Sequence, residues 1–296
     1  MNTRYTLSLL LALFLISCHK DSGVVPSYIY IKDIQVQTTS GQGTNSDDIV
    51  DAWVYVDDNA VGCFSLPARI PIIGDGPHKI TIYGGIKADG ISSHRRRYPF
   101  YQPYILNSYT LRSGMVDTLQ GAYQPIVTYY PNTEMNFWIE DFTDPFIPFL
   151  QDPLSDTSMA RTTTPGEYFE GGASGVMTLS ANQIYFKAAT AENFDLPIGG
   201  VPVYLELNYK ANNTFSVGLT SVMSGNVVNQ DNTIIRPSYD DNGNLVWKKM
   251  YCEMTELVSS NLNALYYEIY FKMTKDEGIT EPLVLIDNVK LVYGNN

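Results

Sequence analysis

The sequence predicts an all-β protein, and three observations carry the prediction. Short segments of alternating apolar and polar residues recur along the chain, the period of a pleated strand with one buried face. Clusters of Gly, Pro, Asn and Asp stand between them and close turns. No stretch repeats as an amphipathic helix of three turns, and the 22 Tyr and 16 Pro among 296 residues suit pleated sheet. A tyrosine ring packs on such a surface while its hydroxyl reaches water. A chain of this length suits two consecutive β-sandwich domains, each able to bury a core.

The N-terminus serves another purpose. Arg4 precedes an apolar run over residues 6–16, about 11 residues, where a bilayer span needs about 20. Leu15-Ile16-Ser17-Cys18 follows. This arrangement resembles the lipobox of the bacterial lipoprotein signal family. The resemblance implies a signal peptide over 1–17, a diacylated Cys18 and a lipid membrane as partner. It places the protein in the cell envelope, at the outer membrane ahead of the inner. The competing reading is an ordinary secretory signal with a chance cysteine. Residues 18–27 are polar and end near a proline, and they read as a tether. The formal charge is −12, and losing Arg4 with the signal would leave −13. That balance argues against nucleic acid, whose binding rests on neutralised phosphates.

The first domain is expected over residues 28–130. Tyr28 to Val36 reads as strand and alternates over its second half, a Ser/Thr/Gly/Asn loop runs from Thr38 to Asp48, and Ala52–Val56 with Ala60–Phe64 form a hairpin across Asp57-Asp58-Asn59. Gly74-Asp75-Gly76-Pro77 turns the chain into the strand His78–Tyr83. The order WVYVDDNAVGCFSLP…GDGPHKITIYGG resembles the PEGA β-sandwich repeat, which implies an extracytoplasmic structural or adhesive module. Residues 94–104 are the one basic spot of an acidic chain. Arg95, Arg96 and Arg97 with Tyr98 and Tyr101 are candidates for contact with an envelope protein, through charge and stacking. The same residues also read as an edge strand whose charges discourage aggregation.

The second domain is expected over 131–296. A Pro-rich acidic loop from Asp144 to Pro165 is followed by strands near 176–180, 183–188, 201–209, 214–220, 245–254, 266–273 and 283–293. Asn242-Gly243 signals a hairpin. Phe137…Glu140-Asp141-Phe142, Phe169-Glu170-Gly171-Gly172-Ala173-Ser174-Gly175, Val203–Lys210, Trp247-Lys248-Lys249 and Leu285–Leu291 together resemble the jelly-roll carbohydrate-binding modules and their galactose-binding-like relatives. That resemblance implies a jelly roll, a glycan ligand and a structural Ca²⁺ held by Glu140 or Asp141 with Asp287. Calcium takes six to eight oxygens, so acidic strand ends could serve it; the competing reading has Asp287-Asn288 capping backbone amides. Trp138, Phe146, Phe149, Tyr168 and Tyr239 are the candidate stacking rings for a sugar, whereas Trp247 reads as core.

Catalytic patterns are missing. His19, His78 and His94 stand apart with no Ser-His-Asp arrangement, and no GxSxG, HExxH or P-loop motif occurs. A carboxylate glycosidase stays open on composition alone. Cys63 and Cys252 both read as small buried hydrophobes. The expectation is a non-catalytic, membrane-anchored lipoprotein that binds carbohydrate through the jelly roll. Its alternative is a structural adaptor docking on another envelope protein.

Overall fold

The computed structural model describes residues 24–295; Cys18 and the signal lie outside them. Up to residue 128 the described chain forms β1 (Ser27–Ile31), β2 (Gln35–Gln37), β3 (Asp51–Val56), β4 (Asn59–Ser65), β5 (Ala68–Ile72), β6 (Gly76–Lys87), β7 (Arg95–Arg97), β8 (Tyr104–Leu111), β9 (Val116–Thr118) and β10 (Ile126–Thr128). One sheet runs β4-β3-β6, with β7 and β8 pairing successive parts of β6. A second runs β5-β1-β9, and β10 pairs β2. The apolar positions of these strands, Ile29, Ile31, Ile70, Ile80 and Ile82 among them, meet in one core. The hairpin stands where the sequence puts it. Asp57 and Asp58 take positive φ of 47° and 64°, the left-handed pair that matches the twist of two antiparallel strands.

The second fold follows as β11 (Met135–Glu140), β12 (Phe149–Gln151), β13 (Ala160–Thr162), β14 (Ser174–Thr178), β15 (Tyr185–Thr190), β16 (Val203–Ala211), β17 (Phe215–Met223), β18 (Asn226–Ile235), β19 (Lys248–Glu253), β20 (Tyr266–Thr274) and β21 (Leu283–Gly294). A six-stranded sheet runs β13-β14-β21-β16-β19, with β11 beside β14 along β21. It stacks on a five-stranded sheet ordered β12-β15-β20-β17-β18. Leu205, Leu207, Leu219, Ile269, Phe271 and Ile286 fill the space between them. This is the all-β sandwich that the alternation predicts, in the jelly-roll form that the resemblance implies. Helix is confined, among the described residues, to the 3-10 turn Gly121–Tyr123 and α1 (Thr255–Ser259).

Four details differ from the sequence reading. The loop 144–165 contributes β12 and β13 as sheet-edge strands. Strand β18, polar and at the other edge of its sheet, carries too little apolar alternation to be recognised. Cys63, expected inside, is exposed because β4 is an edge strand and presents that position to solvent; Cys252 is buried, and both are free. Trp247, expected in the core, stands half-buried beside a cleft.

The outer face of the six-stranded sheet is covered. Tyr204, Tyr251 and Val292 project from it into the core of the first fold, beside Tyr98, Phe100 and Tyr129. The chain after β6 also joins the edge of that sheet: Ala88 bridges Tyr251 in parallel, and the Asp89 N–H donates to the Tyr251 carbonyl at 2.8 Å. Among the described residues, none of the opposite sheet belongs to the core of the first fold.

Candidate functional site

Strand register builds the junction between the folds. On β16, Val203, Leu205, Leu207 and Tyr209 face the sandwich core, so alternation turns Tyr204, Glu206 and Asn208 the other way. β21 places Lys290 opposite Glu206 and Asp287 opposite Asn208, with a register shift between them. Asn288, at φ 48°, is the extra residue of this bulge. Ile286 and Val289 both face the core around it, leaving Asp287 and Lys290 on the outer side.

Under the first fold this face is sealed. Glu206 is fully buried. Its Oε1 accepts hydrogen bonds from Tyr98 at 2.7 Å and Tyr129 at 2.6 Å. Its Oε2 faces Lys249 Nζ at 2.9 Å and Lys290 Nζ at 3.7 Å. Lys290 also donates to the Tyr129 hydroxyl at 3.0 Å. Burial alone would raise the Glu206 carboxyl; Lys290, Lys249 and the two hydroxyls hold it down at about 2. Burial likewise draws Lys290 down to about 8 against the pull of Glu206. Tyr98 packs edge-on against Tyr101 and Tyr204, with centroids 4.6 and 5.3 Å apart. The cluster is closed to solvent, and its chemistry is that of a lock.

Beyond the cluster the two folds part, and a cleft of about 930 Å³ opens. Ser46, Asp48, Lys87 and Asp89 line it from the first fold. Asn208, Trp247, Lys248, Phe169 and Arg236 line it from the second. Trp247 and Phe169 form one wall, with ring centroids 5.6 Å apart and planes tilted by 60°. Phe169 is 38% exposed, far more than a core ring. The far side is polar and tied down. Ser46 Oγ donates to Asn208 Oδ1 at 2.9 Å, and the Asp48 N–H donates to the Tyr251 hydroxyl at 3.2 Å. Burial raises the Asp47, Asp48 and Asp89 carboxyls; the Ile49 N–H opposes it at Asp47, the Lys87 charge at Asp48, and the Glu253 N–H with Asn232 at Asp89.

Asp287 sets the aromatic wall. Its buried Oδ2 accepts the N–H groups of Phe169 at 3.0 Å and Glu170 at 3.2 Å and the Ser174 hydroxyl at 2.8 Å. Asn288 adds a bond to Glu170 Oε1 at 2.5 Å. The loop carrying Phe169 is thereby held against Trp247. Burial raises the Asp287 carboxyl, and these donors lower it.

The residues singled out from sequence fall in different places. Glu140 Oε1 accepts the Phe142 N–H at 2.6 Å, and Asp141 Oδ1 accepts the Thr143 N–H at 3.0 Å. Among the described residues, no three His, Cys, Asp or Glu side chains group as a metal site. Of the five candidate rings, Phe149 is buried in the sandwich core, because β12 pairs with β15 and turns the ring inward. Trp138 packs against Phe149 and Phe194 at 6.1 and 5.5 Å. Phe146 and Tyr239 are exposed and Tyr168 is half-buried, and none of the five lines the cleft. Tyr98 and Tyr101, expected on a contact surface, are 2% and 3% exposed, since the second fold covers them. Arg95 pairs with buried Asp51, Arg96 with Glu253 at 2.7 Å, and Arg97 lies 4.8 Å over the Tyr83 ring.

Sequence reasoning missed Lys87, Asn208, Phe169 and Arg236 as site residues, and it placed Trp247 inside. A usable signal existed: Trp247-Lys248-Lys249 puts a large ring beside two cations directly after a turn. By contrast, the open face of the five-stranded sheet is polar but internally matched. Lys187 pairs with Asp152 at 3.0 Å, and Tyr270 and Lys272 both donate to Asp231, at 2.6 and 2.5 Å. Tyr270 lies against Gly218, where a Cβ would sit 2.1 Å from its Cζ.

No family model matches the chain, and no curated protein matches it. Solved structures that align with it include a family 11 carbohydrate-binding module from Clostridium thermocellum in complex with a β-1,3-1,4-mixed-linked tetrasaccharide, at 9% identity and a TM-score of 0.34, over 53% of this chain and 95% of that one. The K3 cleaved adhesin domain of Lys-gingipain from Porphyromonas gingivalis aligns at 13% identity and a TM-score of 0.34, over 53% and 98%. A Clostridium thermocellum endo-1,4-β-D-xylanase complexed with xylohexaose aligns at 13% and 0.34, over 52% of this chain and only 27% of that larger one.

Proposed function

We propose that this chain is a lipid-anchored envelope protein that binds a saccharide in the cleft between its two β folds. One observation carries the reading: the cleft of about 930 Å³ has an aromatic wall, Trp247 with Phe169, facing a polar side of Asn208, Asp48 and Lys87. A pyranose presents an apolar face of C–H groups and an equatorial belt of hydroxyls. The ring wall suits the first and the amide, carboxylate and ammonium groups suit the second. Binding, and not bond cleavage, is the role read here. The Asp47 and Asp89 carboxylates accept backbone N–H groups, which suits scaffolding better than proton transfer to a ligand. The acyl chain expected on Cys18 would hold the cleft at the membrane surface.

The test is glycan-array binding of the purified chain and of Trp247→Ala. Glycan capture by the parent and its loss in the variant, with an unchanged far-UV spectrum, supports the reading. Equal capture by both removes the cleft as the site. The anchor is tested separately, by mass spectrometry of residue 18 and by membrane partitioning of Cys18→Ala. An unmodified Cys18, or full partitioning of the variant, ends that part of the proposal.

A further inference from the structure

The charged groups of the cleft are unevenly matched. Asp89 Oδ1 accepts the Glu253 N–H at 3.0 Å and the Asn232 amide at 2.7 Å. Asp47 Oδ1 accepts the Ile49 N–H at 3.1 Å. Both carboxylates are therefore solvated by the protein itself, and the third, Asp48, faces the Lys87 charge. Among the cations, Lys249 belongs to Glu206. Lys248 Nζ donates to the neutral Tyr239 carbonyl at 3.0 Å, which leaves its charge uncompensated. Arg236 and Lys87 form no ion pair among the described residues, although Lys87 is near enough to Asp48 to lower its carboxyl. Arg236 and Lys248 are exposed, so both are free to turn toward a ligand.

On the open face of the five-stranded sheet, Lys187 and Lys272 each meet a carboxylate. On the first fold, Lys79, Arg95, Arg96 and Arg112 do the same, while Arg69 and Arg97 lie over tyrosine rings and Arg161, Lys210 and Lys275 donate to backbone carbonyls. In a chain with a net charge of −12, Arg236 and Lys248, exposed and without a carboxylate partner at the mouth of this cleft, form a local anion site. An arginine there offers a fork of donors that fits a carboxylate in two parallel bonds.

Resting on the cleft reading above, we infer that the ligand is an acidic saccharide, one carrying uronate carboxylates. Its sugar ring lies on Trp247 and Phe169, and its carboxylate is met by Arg236 and Lys248, with Lys87 across the cleft. The selectivity is electrostatic and partly exposed, so salt weakens it, because the Debye length falls to about 3 Å at about 1 M ionic strength.

The experiment is calorimetric titration of the full chain with oligomers of galacturonate, glucuronate and mannuronate, and with neutral gluco-, galacto- and manno-oligosaccharides of equal length. At least one uronate should bind about tenfold more tightly than its neutral counterpart, and high salt should close that gap. Arg236→Gln and Lys248→Gln should each weaken uronate binding several-fold more than they weaken neutral binding. Both sites are exposed, so neither variant threatens the fold. Neutral oligomers that bind as well as uronates, or a preference untouched by Arg236→Gln, overturn charge selection and leave the cleft reading intact. Binding that survives Trp247→Ala, or no binding by any oligomer, overturns the cleft reading and this inference with it.

Discussion

The outer face of one sheet meets the first fold in two ways, and the difference is instructive. At Glu206 the folds close completely, and two hydroxyls and two ammonium groups meet the carboxylate. At Trp247 they diverge, and aromatic rings and cations are left facing water. The two regions share strands: Glu206 and Asn208 are two residues apart on β16, and Lys249 and Trp247 two apart on the chain entering β19. A rigid, dry anchor therefore sits directly beneath an open cleft. A lock of this kind fixes the spacing of the two cleft walls, so a ligand meets walls already in place, and preorganisation lowers the cost of binding.

Measurements on six variants can break or sharpen that comparison. The largest effect is expected at Glu206. Glu206→Ala leaves Lys249 and Lys290 buried without their anion and should cost about 3–5 kcal/mol in urea unfolding. A loss under about 1 kcal/mol would mean that the cluster does not hold the folds together. The same group sets an acid limit. Its folded carboxyl, at about 2, lies below the value of about 4.3 for a free glutamate. Its stabilisation is therefore complete above about pH 4.3 and is lost as the pH falls toward 2. Glu206→Gln should show a shallower decline of stability through that window.

Next in size is Tyr98→Phe, which removes one hydroxyl from the carboxylate and keeps the ring. A loss of about 1.5–3 kcal/mol is expected, as for a hydrogen bond to a charged group, with saccharide affinity unchanged. Asp287→Asn should give a smaller loss of stability and a clear loss of affinity, because the Phe169 loop is freed while Glu206 stays paired. Equal affinity would show that this loop does not build the site. The smallest effect is expected at Cys63→Ser, within about 0.5 kcal/mol as for an exposed position. The same exchange at buried Cys252 should cost more, since a hydroxyl there would lose water without gaining a partner.

The β architecture was legible in sequence because it is local. Alternation marks β16, β20 and β21, and Asp57-Asp58-Asn59 and Asn242-Gly243 mark turns, all within a few residues of one another. Strand β18 escaped because an edge strand of polar residues buries too little for a period to appear. The site was less legible. In Val203–Ala211 the polar positions Glu206 and Asn208 read as a solvated face, and in Tyr98 and Tyr101 the rings read as a surface. Both readings fail for one reason: the two faces cover each other.

What the residues alone decide is the period, the turns and the net charge, because strand geometry and hydrophobic burial act over short stretches of chain. Which face of a sheet stays wet is decided by contacts between segments more than a hundred residues apart, such as Tyr98 with Glu206 and Ser46 with Asn208. A one-residue bulge at Asn288 orients Asp287 and Lys290, and no periodicity announces it. The sealed lock and the open cleft therefore exist only once the two folds have met.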